Sequence, residues 1–432
     1  MEIANLYNIY KECSSVSTDS RNCTANALFF ALKGDTFDGN QYALKALDSG
    51  CKYAVVDAVE LKNRADCIYV DDSLKTLQQL AAYHRKTLGI PIIAITGTNG
   101  KTTTKELTAA VLSKKLKVRY TQGNLNNHIG VPLTLLAMTS NTEIGIVEMG
   151  ANHIGEIAFL CTIAKPDYGL ITNVGKAHLE GFGSLEGVMS AKGELYKYLF
   201  GKKAPVFVNA DNHLLMKMIA EKEHIGYGTT LNASASGRNI HAAPLLQFEW
   251  KKRDAEVWEN VETQLTGDYN FENAMAAICI GNYFDIAPRL INEALANYTP
   301  SNNRSQLVLT VRNKVLMDAY NANPSSMKVA LDNFDKMTAS RKILILGGMK
   351  ELGDESYNEH KILMERIEKL NAATTYLVGS EFAPFDVHQQ TCRTFESANL
   401  LIDYFKENPV TDALILVKGS RTNRLEDMMS VL

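Results

Sequence analysis

The run from Ile92 to Thr103 carries the clearest chemistry in the chain. It is apolar up to Thr96 and continues Gly97, Thr98, Asn99, Gly100, Lys101, Thr102, Thr103. An apolar strand that ends in a glycine-spaced turn and re-enters as a helix forms a phosphate cradle. Its backbone N–H groups turn inward, the helix N-terminus adds positive partial charge, and Lys101 adds a full one. The Thr102 hydroxyl is suited to hold Mg²⁺. Two residues separate Gly97 from Gly100 where the usual pattern has four, and Ile95 stands in place of the first glycine. A plain strand-to-helix turn that binds nothing is the alternative. The Gly-Lys-Thr ending at the strand-to-helix switch favours nucleoside triphosphate chemistry.

Other polar residues follow apolar runs in the same way. Glu148 closes Ile144–Val147 and is placed to bind Mg²⁺ or to cap a helix. His178 lies just past the Tyr168–Thr172 run. As a nitrogen donor it suits a second metal or an Mn²⁺-tolerant site better than Mg²⁺ alone. Lys192 sits in a helix-like segment and, on residues alone, reads as a surface lysine. Near the end of the chain, three polar loops follow three apolar runs. They are Asp318–Met327, Gly347–Met349 and Lys418–Arg421, and a parallel sheet would gather them on its ligand-binding edge.

The elements that must position these residues divide the chain into three α/β parts: 1–85, 86–298 and 299–432. A chain of 432 residues exceeds one ordinary core. The first part has short strands at Ala27–Leu32, Tyr53–Val56 and Cys67–Val70, and a helix from Leu74 to Leu88. In the second, strands alternate with helices, which predicts a central phosphate-loop-type parallel sheet. The more polar Ala233–Thr266 stretch predicts a side sheet or hairpin. The third repeats the alternation through strands at Lys314, Lys342, Thr375 and Ala413, a Rossmann-like pattern.

Composition excludes more than it assigns. The formal charge of -3 gives no general attraction to nucleic acid or anionic membrane. No apolar run is long enough to span a bilayer. The N-terminal residues lack the form of a signal peptide. Seven scattered cysteines without a Cys-x-x-Cys pair argue for a reduced, cytoplasmic protein without a disulfide framework or zinc site.

Taken together, these segments resemble the Mur ligase family of bacterial cell-wall synthesis over nearly the whole chain. The Gly97–Thr103 loop marks the family. Glu148–Asn152, Asn173–His178 and Ala191–Leu195 are similar to its central-domain motifs, and Asp318–Pro324 and Lys418–Arg421 to its dipeptide-adding members. The resemblance implies an ATP-dependent amide ligase acting in peptidoglycan precursor synthesis. It would join D-Ala-D-Ala to UDP-N-acetylmuramoyl tripeptide through an acyl phosphate and release ADP. It implies that Lys101 holds the β- and γ-phosphates, Thr102 and Glu148 the first Mg²⁺, and His178 a second metal. Lys192 would be carbamylated by CO₂, which converts a cation into an anion facing the metals. Asn270, Asn273, Arg304 and Asp318 match positions for the nucleotide base and ribose, although Tyr269 stands where the family often has His. Ser20 and Arg21 would receive the UDP group, with Arg21 donating to the diphosphate. Asn124 and Asn126 would belong to a substrate loop. Asn321, Asn323, Lys418, Ser420 and Arg421 would contact D-Ala-D-Ala. A monomer is expected.

Two other readings stand beside this one. A sister ligase would add the third amino acid, but its usual Asp-Asn-Pro-Arg tetrapeptide is absent. A non-ligating protein switched by ATP would make no amide bond. The third residue of the peptide, diaminopimelate or lysine, stays open.

Overall fold

The computed structural model describes residues 1–242, 244–301, 303–370, 374–385 and 391–432. Its architecture is α/β, built on three main sheets. In the first, Val16–Ser17, Leu28–Phe30, Tyr53–Val56 and Cys67–Tyr69 lie side by side and parallel. The central sheet has nine strands and the last sheet six. The expected strand at Ala27–Leu32 shortens to Leu28–Phe30.

In the central sheet the fully buried strand Ile92–Thr96 lies between Ile144–Glu148 and Tyr168–Ile171, parallel to both. Its neighbours therefore come from later in the chain on either side. That reversal opens a crevice at the carboxyl ends of the strands, where ligands bind in open α/β sheets. Ile95 pairs with Glu148, so the carboxylate sits level with the start of the phosphate loop.

The side sheet or hairpin expected at Ala233–Thr266 is an antiparallel run of strands that extends the central sheet and forms no separate sheet. Ala235–Ala242 joins Ile225–Gly228 in parallel, and Leu245–Lys252 and Glu259–Thr266 follow antiparallel. Leu246, Phe248 and Trp250 alternate along one face and are buried. They share a core with the helices Asn270–Tyr283 and Pro288–Asn297. The period-two pattern needed that helical cover, so the hairpin could not stand apart.

In the last sheet Leu414–Lys418 is flanked in parallel by Lys314–Asp318 and Lys342–Gly347. The three polar loops that follow these strands therefore share one edge, as the alternation predicted. An antiparallel strand, Gln306–Leu309, covers the outer side of Lys314–Asp318.

One apolar core runs from the first part into the central sheet. It contains Leu6, Leu28, Val55 and Leu77 together with Val131, Leu160 and Val206. The helix Ser73–Leu88 makes the join. It opens on an Asp72 cap, whose carboxylate accepts from Lys75 N–H, and closes on left-handed Gly89. Near its end Arg85 is 8% exposed. Its guanidinium donates to Ala164 O (3.0 Å), Lys165 O (3.2 Å) and Asp167 Oδ2 (2.6 Å). The same carboxylate oxygen accepts from Ile92 N–H at 3.0 Å and so holds the entry to the phosphate-loop strand.

Breaking this clamp should be felt at both ends. Removing one partner of a buried pair costs about 3–5 kcal/mol, and the partly exposed Asp167 reduces that to about 1–3 kcal/mol. Arg85→Met is expected to lower the urea midpoint accordingly. Asp167→Asn should lower it similarly, and the double variant should lose less than the sum. Additive losses would show that Arg85 acts through its carbonyl contacts alone.

Candidate functional site

Gly97 and Gly100 make the phosphate loop possible. Both have positive φ, +140° and +77°. A side chain at the first would run into Thr172, and one at the second into Asn273. The loop is laced to the end of the next strand. Thr98 N–H donates to Asn173 O (3.0 Å) and Asn99 N–H to Asn173 Oδ1 (2.9 Å). Thr172 Oγ1 donates to Asn99 O at 2.6 Å. The N–H groups of Thr98 and Asn99, counted among the phosphate donors from sequence, thus already bind Asn173. The donors left are those of the first turn of the helix Lys101–Leu112, which have no intrahelical partner. Lys101 Nζ folds back onto Gly97 O (2.8 Å) and Thr98 O (3.0 Å), and burial pushes its ammonium down to about 8.

Two buried oxygens here lack a hydrogen-bond partner: Thr102 Oγ1 and Glu148 Oε2. Glu148 is 1% exposed. Its other oxygen accepts from Asn126 Nδ2 at 2.8 Å, which ties the loop carrying Asn124 and Asn126 to the carboxylate. A buried polar atom with no partner calls for one. A hydroxyl and a carboxylate are the hard donors Mg²⁺ prefers, with water and phosphate completing its shell. The donor set fits that ion.

The other two residues expected around metal are placed differently. Among the described residues no three His, Cys, Asp or Glu side chains form a metal cluster. His178, in left-handed conformation, sets Nδ1 2.5 Å from Glu351 Oε2 of the last domain. Lys192 is no surface residue. It lies in the helix Leu185–Gly201, is 2% exposed, and its Nζ donates to Ala151 O at 3.2 Å. Phe182 offers its ring 5.0 Å away. Burial first, and the charge of Lys101 second, push the Lys192 ammonium down to about 7.

The last domain closes the site from above. Asn323 caps the helix Pro324–Lys336 and donates from Nδ2 to Asn99 Oδ1 at 2.9 Å, reaching the phosphate loop itself. Lys176 Nζ meets Glu359 Oε1 at 2.8 Å. Between the domains lies a cavity of about 710 Å³. It is lined by Thr98–Thr103, Asn124, Asn126, Glu148, His178, Asn270, Asn273, Arg304, Asp318, Asn321, Asn323 and Lys418. Gly97, Lys192, Ser420 and Arg421 do not line it, and no residue of 1–85 does.

Several of these side chains also serve the protein. Asn273 accepts from Thr104 Oγ1 (3.0 Å) and donates to Asn270 Oδ1 (2.8 Å), while Asn270 donates to Thr266 O (2.7 Å). Tyr269 pairs its hydroxyl with Ser305 Oγ at 2.7 Å, stitching the central part to the last. Asp318 accepts from buried Lys418 Nζ at 2.6 Å and from Ser305 N–H at 3.1 Å. Ser420 Oγ accepts from Lys350 N–H at 3.0 Å. Arg21 is tied to Asp19 on the surface, Nε to Oδ1 at 2.9 Å, with Ser20 buried beside it.

Lys105 is the residue that sequence reasoning missed. It is fully buried, with Nζ 3.8 Å from Glu148 Oε2, 3.6 Å from Glu106 Oε1 and 5.7 Å from the Tyr120 ring. Burial pushes its ammonium down against the pull of both carboxylates. Its signal was in the chain: it stands four residues after Lys101, on the same helix face.

Comparison with known proteins adds independent findings. The Mur ligase middle domain pattern matches residues 95–281, the Mur ligase glutamate ligase domain 303–421, and the Mur ligase family catalytic domain 12–85. The UDP-N-acetylmuramoyl-tripeptide–D-alanyl-D-alanine ligase of Bacillus subtilis (strain 168) is 35% identical over 96% of this chain and 92% of its own. The protein of the same name from Escherichia coli (strain K12) is 33% identical over 97% and 93%. A crystal structure of MurF from Acinetobacter baumannii superposes with a TM-score of 0.86 at 26% identity, covering 99% of this chain and 97% of that one.

A charge removed beside Glu148 should leave the carboxylate buried and unbalanced. Lys105→Met is expected to destabilise the ligand-free protein by about 3 kcal/mol. Adding Glu148→Gln should return most of that loss in urea unfolding. If it returns none, while Glu106→Gln does, the partner of Lys105 is Glu106.

Proposed function

The chain belongs to the Mur ligase family, and on that premise we propose that it joins D-Ala-D-Ala to UDP-N-acetylmuramoyl tripeptide while ATP is cleaved to ADP and phosphate. The observation that carries this reading is the cavity between the central and last domains. A phosphate loop lines one wall, and the Asp318–Ser326 loop and Lys418 line the other. Relatives named for this reaction match nearly the full chain at 33–35% identity.

The reaction runs in two steps. The terminal carboxylate of the tripeptide attacks the γ-phosphorus of ATP, and ADP leaves. The amine of D-Ala-D-Ala then attacks the acyl phosphate, loses a proton, and phosphate departs as the amide forms. Phosphoryl transfer asks the protein for position and charge more than for covalent chemistry. Lys101 exchanges its two loop carbonyls for the β- and γ-phosphate oxygens. The first helical turn donates its N–H groups to the same anion. Thr102 and Glu148 would hold Mg²⁺, with His178 beside them, and the bound ion would neutralise phosphate charge. Asn126 keeps Glu148 oriented, and Asn124 lies with it on the substrate side. Arg304 and Asp318 flank the nucleotide, with Asn270 and Asn273 fixing the wall beneath it.

In this reading residues 1–85 receive the UDP group through Ser20 and Arg21, 86–298 hold ATP, and 299–432 bring D-Ala-D-Ala through Asn321, Asn323, Lys418, Ser420 and Arg421. The enzyme is proposed to act as a monomer. Among the described residues no helix is long and apolar enough to cross a membrane, and we place the enzyme in the cytoplasm with its nucleotide substrates.

Carbamylation of Lys192 fits its surroundings. The neutral amine must attack CO₂, forming an N–C bond and releasing a proton. An ammonium held at about 7 supplies that amine at neutral pH, where an ordinary lysine near 10.4 does not. The resulting anion would lie beside Lys101 and relieve its charge.

The deciding measurement is ADP release with Mg²⁺, ATP and UDP-N-acetylmuramoyl tripeptide, with and without D-Ala-D-Ala, and product identification by mass spectrometry. Dipeptide-dependent release with a pentapeptide product is expected. Joining of single amino acids to a shorter UDP-peptide would instead assign the sister reaction. Lys192→Ala is expected to lose most activity and to regain part of it with formate or acetate. If short acids restore none, the carbamate assignment fails.

A further inference from the structure

The ring of Tyr320 gathers two guanidinium groups that arrive from different parts of the chain. Arg304 Cζ lies 3.7 Å from the ring centroid and Arg421 Cζ 5.7 Å. Arg304 comes from the segment that enters the last domain. Arg421 begins the single turn Arg421–Asn423, after the strand Leu414–Lys418. Tyr320 follows Asp318 at the end of its strand, and its N–H donates to Asn303 O at 3.2 Å, beside Arg304. Its position is therefore tied to the end of its own strand and to the entering segment.

Two like charges held near one ring repel each other. The negative face of the ring offsets part of that, most effectively where water is excluded. Arg304 Nε is buried with no hydrogen-bond partner, and neither guanidinium meets a carboxylate among the described residues. Arg304 and Tyr320 line the cavity, and the Arg304 charge is felt by Lys101. Arg421 stands exposed outside the rim. One guanidinium thus belongs to the cavity wall and the other to the exposed surface beside the same ring. Arginine matches planar oxyanions in two-pronged fashion.

We propose that Tyr320 is a positioning residue that sets Arg421 to receive the terminal carboxylate of the acceptor dipeptide while it sets Arg304 toward the transferred phosphoryl group. This rests on the ligase reading above. A carboxylate remote from the reacting amine would then supply binding energy that orients the amine. The acceptor would be read as a small peptide with a free C-terminus, and its amide would bind poorly.

The test uses the full enzyme with D-Ala-D-Ala and its C-terminal amide as paired acceptors. The wild type should favour the free acid. Tyr320→Phe keeps the ring face and should keep that preference. Tyr320→Leu should raise KM for the free acid about tenfold, leave KM for the amide nearly unchanged, and raise KM for ATP. Equal increases for acid and amide would overturn the proposal, as would no change, or a Phe variant behaving like Leu. If the Leu variant does not fold, Arg421→Gln gives the same comparison. It should lose the acid preference with KM for ATP unchanged, and retention of the preference overturns the proposal. A wild type that uses neither acceptor would sink the ligase reading itself.

Discussion

Several like charges withdrawn from water around one helix turn are the constraint on which the rest of the molecule depends. Lys101, Lys105 and Lys192 are all pushed down, each mainly by burial, and Lys101 contributes to the shift of Lys192. Full pairing is scarce. Lys418 has Asp318 at 2.6 Å, whereas the carboxylates nearest Lys105 stand at 3.6 and 3.8 Å. The protein manages with weaker partners: the carbonyls of Gly97, Thr98 and Ala151, and the ring faces of Tyr120, Phe182 and Tyr320. These hold the lysine and arginine groups in place without pairing them with an anion. A bound polyanion would do what they leave undone, which is why the site is arranged for one.

The cavity exists because the last domain rests on the central one, and the contacts between them are of a separable kind. Lys176–Glu359 and His178–Glu351 each keep one partner about half exposed. Such pairs contribute little in water. Asn323 accepts from Ser326 N–H to cap its own helix and donates separately to Asn99. Withdrawing the domain would break the second bond and spare the first. The last domain can therefore leave the phosphate loop without unfolding its own edge, and a ligand that bridges the two would hold them together. The first part of the chain is bound differently, by a continuous apolar core and the Arg85 clamp, and has no such freedom.

Legibility in the sequence followed the range of the interactions. The phosphate loop, the strands around it and the shared edge of the last sheet were readable, because apolar runs and glycines act locally. The place of Glu148 near the loop followed from the end of a strand. What escaped depended on contacts between distant segments. Lys192 read as a surface lysine because nothing near it in sequence announces Ala151 and Phe182. Ala233–Thr266 read as a side sheet or hairpin, and its union with the central sheet was hidden because the helices that cover its apolar face come later in the chain. Asn173 gives no local sign that it occupies the N–H groups of Thr98 and Asn99. Lys105 is the exception, since its four-residue spacing from Lys101 placed it beneath the site in plain view.

The separation between Arg21 and the cavity has a physical sense under the ligase reading. A substrate recognised by its UDP end and reacting at the far end of its peptide needs those two points held at a fixed distance. A mobile first domain would let the reactive carboxylate wander, and misplacement of about 1 Å already costs heavily in rate. The apolar core from Leu6 to Val206 fixes that distance with interactions that do not respond to ligand charge. Under that reading the side free to move would be the one bringing the acceptor and closing over the phosphate. Rigidity is built from apolar packing and closure from polar contacts across water. That division lets one chain measure a long substrate and still open to release it.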